Sequence, residues 1–199
     1  MLHLSQDPDA DQLLSDDPLA LFIGMVLDQQ IPLEWAFSGP LRLKQRLGSR
    51  LDAIEIAEMD PDALVKVFAE RPALHRFPGS NAKRVQQLCQ AIVETYDGDA
   101  ATVWTTAKTG DELWRRMKAL PGFGDQKAHI FVALLAKQLG VRPPGWEKAA
   151  GPYGQPGTTM SAADITDPVS LARVRAWKQE KKAAAKAEAA TSSGTPSKT

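Results

Sequence analysis

The stretch Leu120-Pro121-Gly122-Phe123-Gly124-Asp125-Gln126-Lys127-Ala128 constrains this chain more than any other, because it reads as a tight glycine bend between two helices. Upstream, Thr109-Gly110-Asp111-Glu112 has the capping-box pattern, in which Thr109 and Glu112 satisfy each other's free backbone donors at a helix start. That first helix runs through Leu113, Trp114 and Met117. Downstream, Ala128, Phe131, Leu135 and Leu139 recur at helical spacing until Gly140 ends the run. Gly122 and Gly124 open backbone angles closed to other residues, and their missing side chains let a ligand reach the main chain. The start of the second helix adds unpaired N–H groups and a partial positive charge, and Lys127 adds a full one. These features suit a phosphate. A plain helical turn is the competing reading.

A second motif lies near the N-terminus. Asp17-Pro18 is an N-cap followed by a proline suited to a first helical turn, and Leu19 to Leu27 are apolar on every side. Such a helix belongs in a core, yet it stops abruptly in Asp28-Gln29-Gln30. Polarity at the tip of a buried helix marks a surface or cleft with a task, where the bland alternative is an ordinary helix end. Together, an apolar helix ending in Gln-Gln and a later Leu-Pro-Gly-Phe-Gly-x-x-Lys-Ala resemble the helix-hairpin-helix superfamily of DNA-repair glycosylases, which includes endonuclease III-like, adenine-specific and alkyl-purine enzymes. The resemblance spans roughly Asp17 to Trp146.

Composition narrows the branch. The 199 residues include one cysteine, Cys89, which excludes an internal disulfide, a cysteine-ligated zinc and the four-cysteine iron–sulfur cluster of endonuclease III-like members. The alkyl-purine and uracil-type branches are then the closer analogies. His3, His75 and His129 show no metal-ligand spacing. The formal net charge is zero, so contact with DNA has to come from local clusters. No apolar run is long enough to cross a bilayer, and the first residues lack a secretory pattern; a cytoplasmic location is expected.

One basic cluster is Pro78-Gly79-Ser80-Asn81-Ala82-Lys83-Arg84, which opens a helix carrying Val85, Leu88, Cys89, Ile92, Val93 and Tyr96 and ending before Gly98. Lys83 and Arg84 in a first turn oppose the helix dipole, which an external anion would offset. Ser80-Asn81-Ala82-Lys83 is similar to a superfamily stretch that approaches DNA; solvated surface charge is the alternative. Further helices are expected from Ser38-Gly39-Pro40 to Gly48, over Leu51 to Ala57, and from Asp60-Pro61 through Phe68. No strand pattern appears, so the expected architecture is an all-α, helix-hairpin-helix glycosylase-like bundle. Trp35, Trp104 and Trp114 are assigned mostly to the core. Gly151 to Gly157 reads as an irregular loop, and Asp167-Pro168 caps a last helix carrying Leu171, Val174 and Trp177. Beyond Lys178 an Ala/Lys-rich tail with Lys181, Lys182 and Lys186 is expected to fray. The expected division is an N-terminal segment 1–16, a glycosylase-like domain 17–147, a loop and helix packing on it 148–178, and a flexible tail 179–199.

The resemblance implies an enzyme that bends duplex DNA, extrudes a damaged base and hydrolyses its bond to the sugar. Gln29 or Gln30 would fill the vacated space, while Gly122, Gly124 and Lys127 grip flanking phosphates, with a structural monovalent cation at the hairpin backbone as in the family and no other cofactor. Asn81, Lys83 and Arg84 would join the DNA contact. The family's catalytic aspartate falls at Pro144 here, within Arg142-Pro143-Pro144-Gly145-Trp146-Glu147, and the catalytic lysine of bifunctional members falls at Gln126, which argues against Schiff-base lyase chemistry. Asp28 or Glu147 are the substitute carboxylates, with Asp28 ranked first, and Trp146 is a candidate for stacking on the extruded base. The expected partner is lesion-containing double-stranded DNA, bound by a monomer away from membranes. The alternatives are a noncatalytic DNA-binding protein that kept the hairpin, or a helical adaptor for other proteins.

Overall fold

The computed structural model describes residues 1–48 and 50–192, with side chains described to Lys186. Among the described residues there are eleven α-helices and no strand. The all-α expectation therefore holds.

Two short helices lead in, α1 (Pro8–Asp16) and α2 (Pro18–Leu27). Asp17 caps α2 by accepting from the Leu19 and Ala20 N–H groups, as its place before Pro18 predicts. Nine consecutive residues, Leu19 to Leu27, are buried. An isolated helix of this length is not stable in water. Burial of each large apolar side chain contributes roughly 1.5–3 kcal/mol, so α2 holds its shape by serving as the rod that the other helices cover. Phe22 stacks on Phe131 at 4.8 Å between centroids and touches Trp104 and Phe123, which ties the rod to the second hairpin helix.

The next helix, α3 (Leu33–Leu47), corrects the sequence reading. It starts one residue after Pro32, and Gly39-Pro40 lies inside it. Close packing explains this: a Cβ on Gly39 would sit 2.5 Å from Leu27 Cδ1, so Gly39 is where α2 and α3 approach. The buried face Leu33, Ala36, Phe37 and Leu43 runs through the proline. The Gly48 end is as expected, with φ of +69°.

Three helices, α4 (Ala53–Glu58), α5 (Pro61–Ala69) and α6 (Pro78–Tyr96), follow the caps and stripes read from the sequence. After the short α7 (Thr102–Thr105) come the hairpin helices α8 (Gly110–Ala119) and α9 (Asp125–Gln138). Thr109 accepts from the Glu112 N–H at 3.1 Å, but Glu112 reaches back to the Lys108 N–H at 3.0 Å rather than to Thr109. The capping box is thus displaced by one residue on its second half.

The region expected to be an irregular loop is more ordered than its glycines and prolines suggest. Within Gly151 to Gly157 it forms a 3₁₀ turn at Gly151–Gly154, and the flanking segments add α10 (Trp146–Ala149) before it and another 3₁₀ turn at Ala162–Asp164 after it. Tertiary contacts hold these turns: Gln126 donates to the Tyr153 hydroxyl in the first, and in the second Lys137 Nζ bonds Asp164 Oδ1 at 2.7 Å while Gln138 donates to the Ala162 and Ala163 carbonyls. The last helix, α11 (Pro168–Ser192), continues through residues expected to fray. The end of that tail, from Ser193 on, lies outside the described residues. Trp104 is buried and Trp114 partly so, but Trp35 is 38% exposed and does not belong to the core.

Candidate functional site

The polar end of α2 and the glycine bend between α8 and α9 lie side by side. A Cβ on Gly122 would stand 3.1 Å from Val26 Cγ2, and φ at Gly122 is +86°, so glycine is required here both by backbone angle and by the rod behind it. Gly124 differs. Its φ of −86° and ψ of 178° suit any residue, and no atom lies within 4 Å of a Cβ placed there. Neither backbone angle nor packing calls for glycine at Gly124; the space in front of it is open. Gly124 is also the N-cap of α9 and supplies no side-chain cap, so the first amides of α9 face that space without one. Asp125 brings a negative charge to the rim, but Lys118 binds it at 3.0 Å, and that bond holds its carboxyl below the usual carboxylate range.

Of the hairpin residues named from sequence, Gln126 is exposed and donates to the Tyr153 hydroxyl at 2.9 Å. Lys127 turns inward. Its Nζ donates to the Met25 carbonyl at 2.5 Å and the Val26 carbonyl at 3.1 Å, capping the end of α2 instead of projecting from the bend. Burial pushes this amine down to about 8; the nearby Asp28 opposes that effect, and Arg84 and Lys178 add to it.

The tip itself is held from several sides. His75 is 1% exposed, and its Nε2 donates to the Gln29 carbonyl at 2.8 Å. The other ring nitrogen accepts from the Phe77 N–H at 3.0 Å and from Asn81 Nδ2 at 2.8 Å, which fixes the neutral tautomer with its hydrogen on Nε2. Burial drives the His75 pKa below the ordinary value; the Gln29 bond opposes this, and Arg84, Arg76 and Lys127 reinforce it. Arg84 donates to Gln29 Oε1 at 3.2 Å. Gln30 is exposed with φ of +56°, a left-handed conformation that costs a residue with a Cβ roughly 1–2 kcal/mol. Strain held at a solvent-facing tip is a mark of a functional position.

Asn81 is fully buried, so its side chain supports His75 rather than facing outward as the sequence comparison implied. Lys83 is exposed beside it, and Arg84 is half-buried.

Asp28, the first-ranked carboxylate, has a side chain 17% exposed and lies 4.0 Å from Lys178 Nζ. It lines a cavity of about 220 Å³ with Ile31, Leu33, Glu34, Arg175 and Lys178. Glu34 pairs there with Arg175. Neither Glu147 nor Trp146 lines this cavity. Glu147 is exposed on α10, and the Trp146 backbone packs against Gly110, where a Cβ would meet it at 2.6 Å.

Sequence reasoning missed His75, Glu34, Tyr153 and Lys178. His75, Tyr153 and Lys178 reach the tip or the hairpin from distant segments with no local pattern, and Glu34, in the first turn of α3 just after the tip, carries no pattern of its own. Trp35, with Arg71, His75 and Arg76, lines a further groove of about 750 Å³, and the exposed Phe77 carries the Arg76 guanidinium 4.8 Å above its ring. No helix among the described residues is long and apolar enough to cross a membrane, and no cluster of three metal-ligating side chains occurs among them.

No curated protein and no solved structure matches the chain. A family model does, over residues 23–195, which takes in the rod's polar tip, the hairpin and the last helix. On that match and this geometry, the chain belongs to the HhH-GPD superfamily of base excision DNA repair proteins.

Proposed function

We propose that the protein is a monofunctional DNA glycosylase that extrudes a deaminated or alkylated base from duplex DNA and hydrolyses its N-glycosidic bond. The observation that carries this reading is that the hairpin with its open, uncapped Gly124 packs on the last turn of α2, Gly122 against Val26 and Lys127 on the Met25 and Val26 carbonyls, just before the strained Gln30 tip. A phosphate backbone seated at the bend would bring its duplex across the tip. A damaged base costs less to unstack than a sound one, and a glutamine can occupy the space it leaves. The family resemblance implies a monovalent cation held by main-chain carbonyls of the bend, which are hard, neutral oxygen donors. Bound there, it would add positive charge toward the phosphate.

In this reading water attacks the sugar carbon as the base departs with the bonding electron pair. Asp28 stabilises the positive charge that develops on the sugar, an effect larger in a pocket than in open water. Asp28 stands ahead of Glu147 because it lines a cavity beside the tip, whereas Glu147 is solvent-exposed. Hydrolysis is favoured over Schiff-base chemistry by Gln126 at the family's lysine position and by the occupied amine of Lys127.

The test is a panel of duplexes carrying uracil, hypoxanthine, an alkylated purine or an oxidised base. Release of at least one is expected, with strand breaks only after alkali. Asp28→Asn should lower release about 100-fold or more, in line with the loss of one preorganised electrostatic group. A lesion-independent readout is the preference for a cationic pyrrolidine sugar mimic over a neutral tetrahydrofuran one, which Asp28→Asn should abolish. No release from any duplex, or nicking without alkali, would overturn the reading.

A further inference from the structure

The end of α2 is built in an unusual way. The Gln29 N–H bonds back to the Leu27 carbonyl at 2.7 Å, so the helix stops short and leaves the Met25 and Val26 carbonyls for Lys127 Nζ. Lys127 lies in the first turn of α9, where a cation opposes that helix's own dipole. At the far end of its side chain the same charge meets the negative end of α2, where it is favourable. We infer that Lys127 is a positioning residue that fixes the Asp28-Gln29-Gln30 tip from the hairpin, so that DNA gripped at the bend and the nucleotide displaced at the tip share one rigid link. This rests on the proposed reading of the tip as the element that replaces an extruded base.

The ammonium is faced by Asp28 at the end of α2, Arg84 from α6 and Lys178 from α11, and it bears in turn on His75 before α6. Burial and the two cations outweigh the carboxylate and bring the amine down to about 8. Below that pH the clamp is a charged donor to two carbonyls. Above it the amine keeps N–H donors but loses the charge that makes such bonds strong.

Amide hydrogen exchange on the whole protein, corrected for intrinsic pH dependence, reads this directly. Wild-type protection at Asp28 and Gln29, whose N–H groups bond the Gly24 and Leu27 carbonyls, should fall across a midpoint near pH 8, while Phe131 to Leu135 show no step. Lys127→Met should exchange about tenfold faster at the tip at pH 7 and show no step, the size expected when a bonded donor to buried carbonyls is removed. The wild-type step needs no variant, so a poorly folding Lys127→Met leaves the inference testable. The second arm uses duplex with 2-aminopurine beside a tetrahydrofuran site. Wild type should unstack the probe at pH 7 and less so at pH 9, and Lys127→Met should bind the duplex within about threefold yet unstack it less.

Unchanged tip exchange in the variant, or no step in wild type, overturns the inference. So does loss of duplex affinity with a salt slope reduced by about one, which would mark Lys127 as a phosphate contact. A step in exchange without a change in unstacking overturns the link to extrusion. Failure of wild type to unstack the probe at pH 7 counts against the proposed function, and the exchange arm still decides the clamp.

Discussion

Gln29 and Gln30 are neighbours with opposite circumstances. Gln29 is held at its carbonyl by His75 and at its side chain by Arg84, while Gln30 is exposed with a left-handed backbone. The anchor for this arrangement is a neutral histidine. Its Nδ1 already accepts two N–H donors, so protonation there would set a third hydrogen against them. Because the folded-state pKa of His75 lies below its ordinary value of 6.5, the unfolded chain takes up a proton more readily than the folded one. The contribution of His75 to stability is therefore complete above about pH 6.5 and is lost as pH falls below it. Urea midpoints for wild type and His75→Gln should converge between pH 7.5 and 5, with wild type showing the steeper decline. A wild-type curve parallel to that of the variant would show that the ring is not buried in its neutral form.

At the scale of elements, the two glycines of the hairpin separate fold from function. Gly122 has φ of +86° with Val26 directly behind it, so Gly122→Ala should destabilise the protein by at least about 1–2 kcal/mol. Gly124 meets neither condition, so Gly124→Ala should cost only the smaller difference between glycine and alanine as an N-cap, less than Gly122→Ala, yet weaken duplex binding, because the new methyl occupies the space where a phosphate would approach. Equal destabilisation by both would remove the argument that the front of Gly124 is kept open for a partner. The hairpin, α2, α5 and α6 were legible in the sequence because caps, glycines and apolar stripes act within a few residues of one another. The start of α3 was not, because Gly39-Pro40 looks like a boundary until Leu27 is seen packed against Gly39. The same holds for the site: the polar tip and the bend could be read locally, but the inward turn of Lys127 depends on a partner about a hundred residues away.

For the whole molecule, a formal net charge of zero conceals a polarity along α2. At its start, Asp17, Asp52 and Asp99 line one cavity, with Arg50 among them. At its end, Lys127 and Lys178 lie near Asp28, Arg84 bears on Lys127 and bonds Gln29, and Lys83 stands exposed next to Arg84. The rod therefore points its cationic pole toward the bend and the tip. If total charge governed association with DNA, Asp16→Asn and Lys83→Gln, each changing the net charge by one unit, would shift affinity by equal amounts in opposite directions. Polarity predicts otherwise. Lys83→Gln should weaken duplex binding and reduce the slope of log affinity against log salt by about 0.9, the effect of one lost phosphate contact. Asp16→Asn, at the exposed end of α1 beside the acidic pole, should leave both within error. Matched, opposite shifts from the two variants would show that the duplex responds to total charge rather than to the pole at the tip.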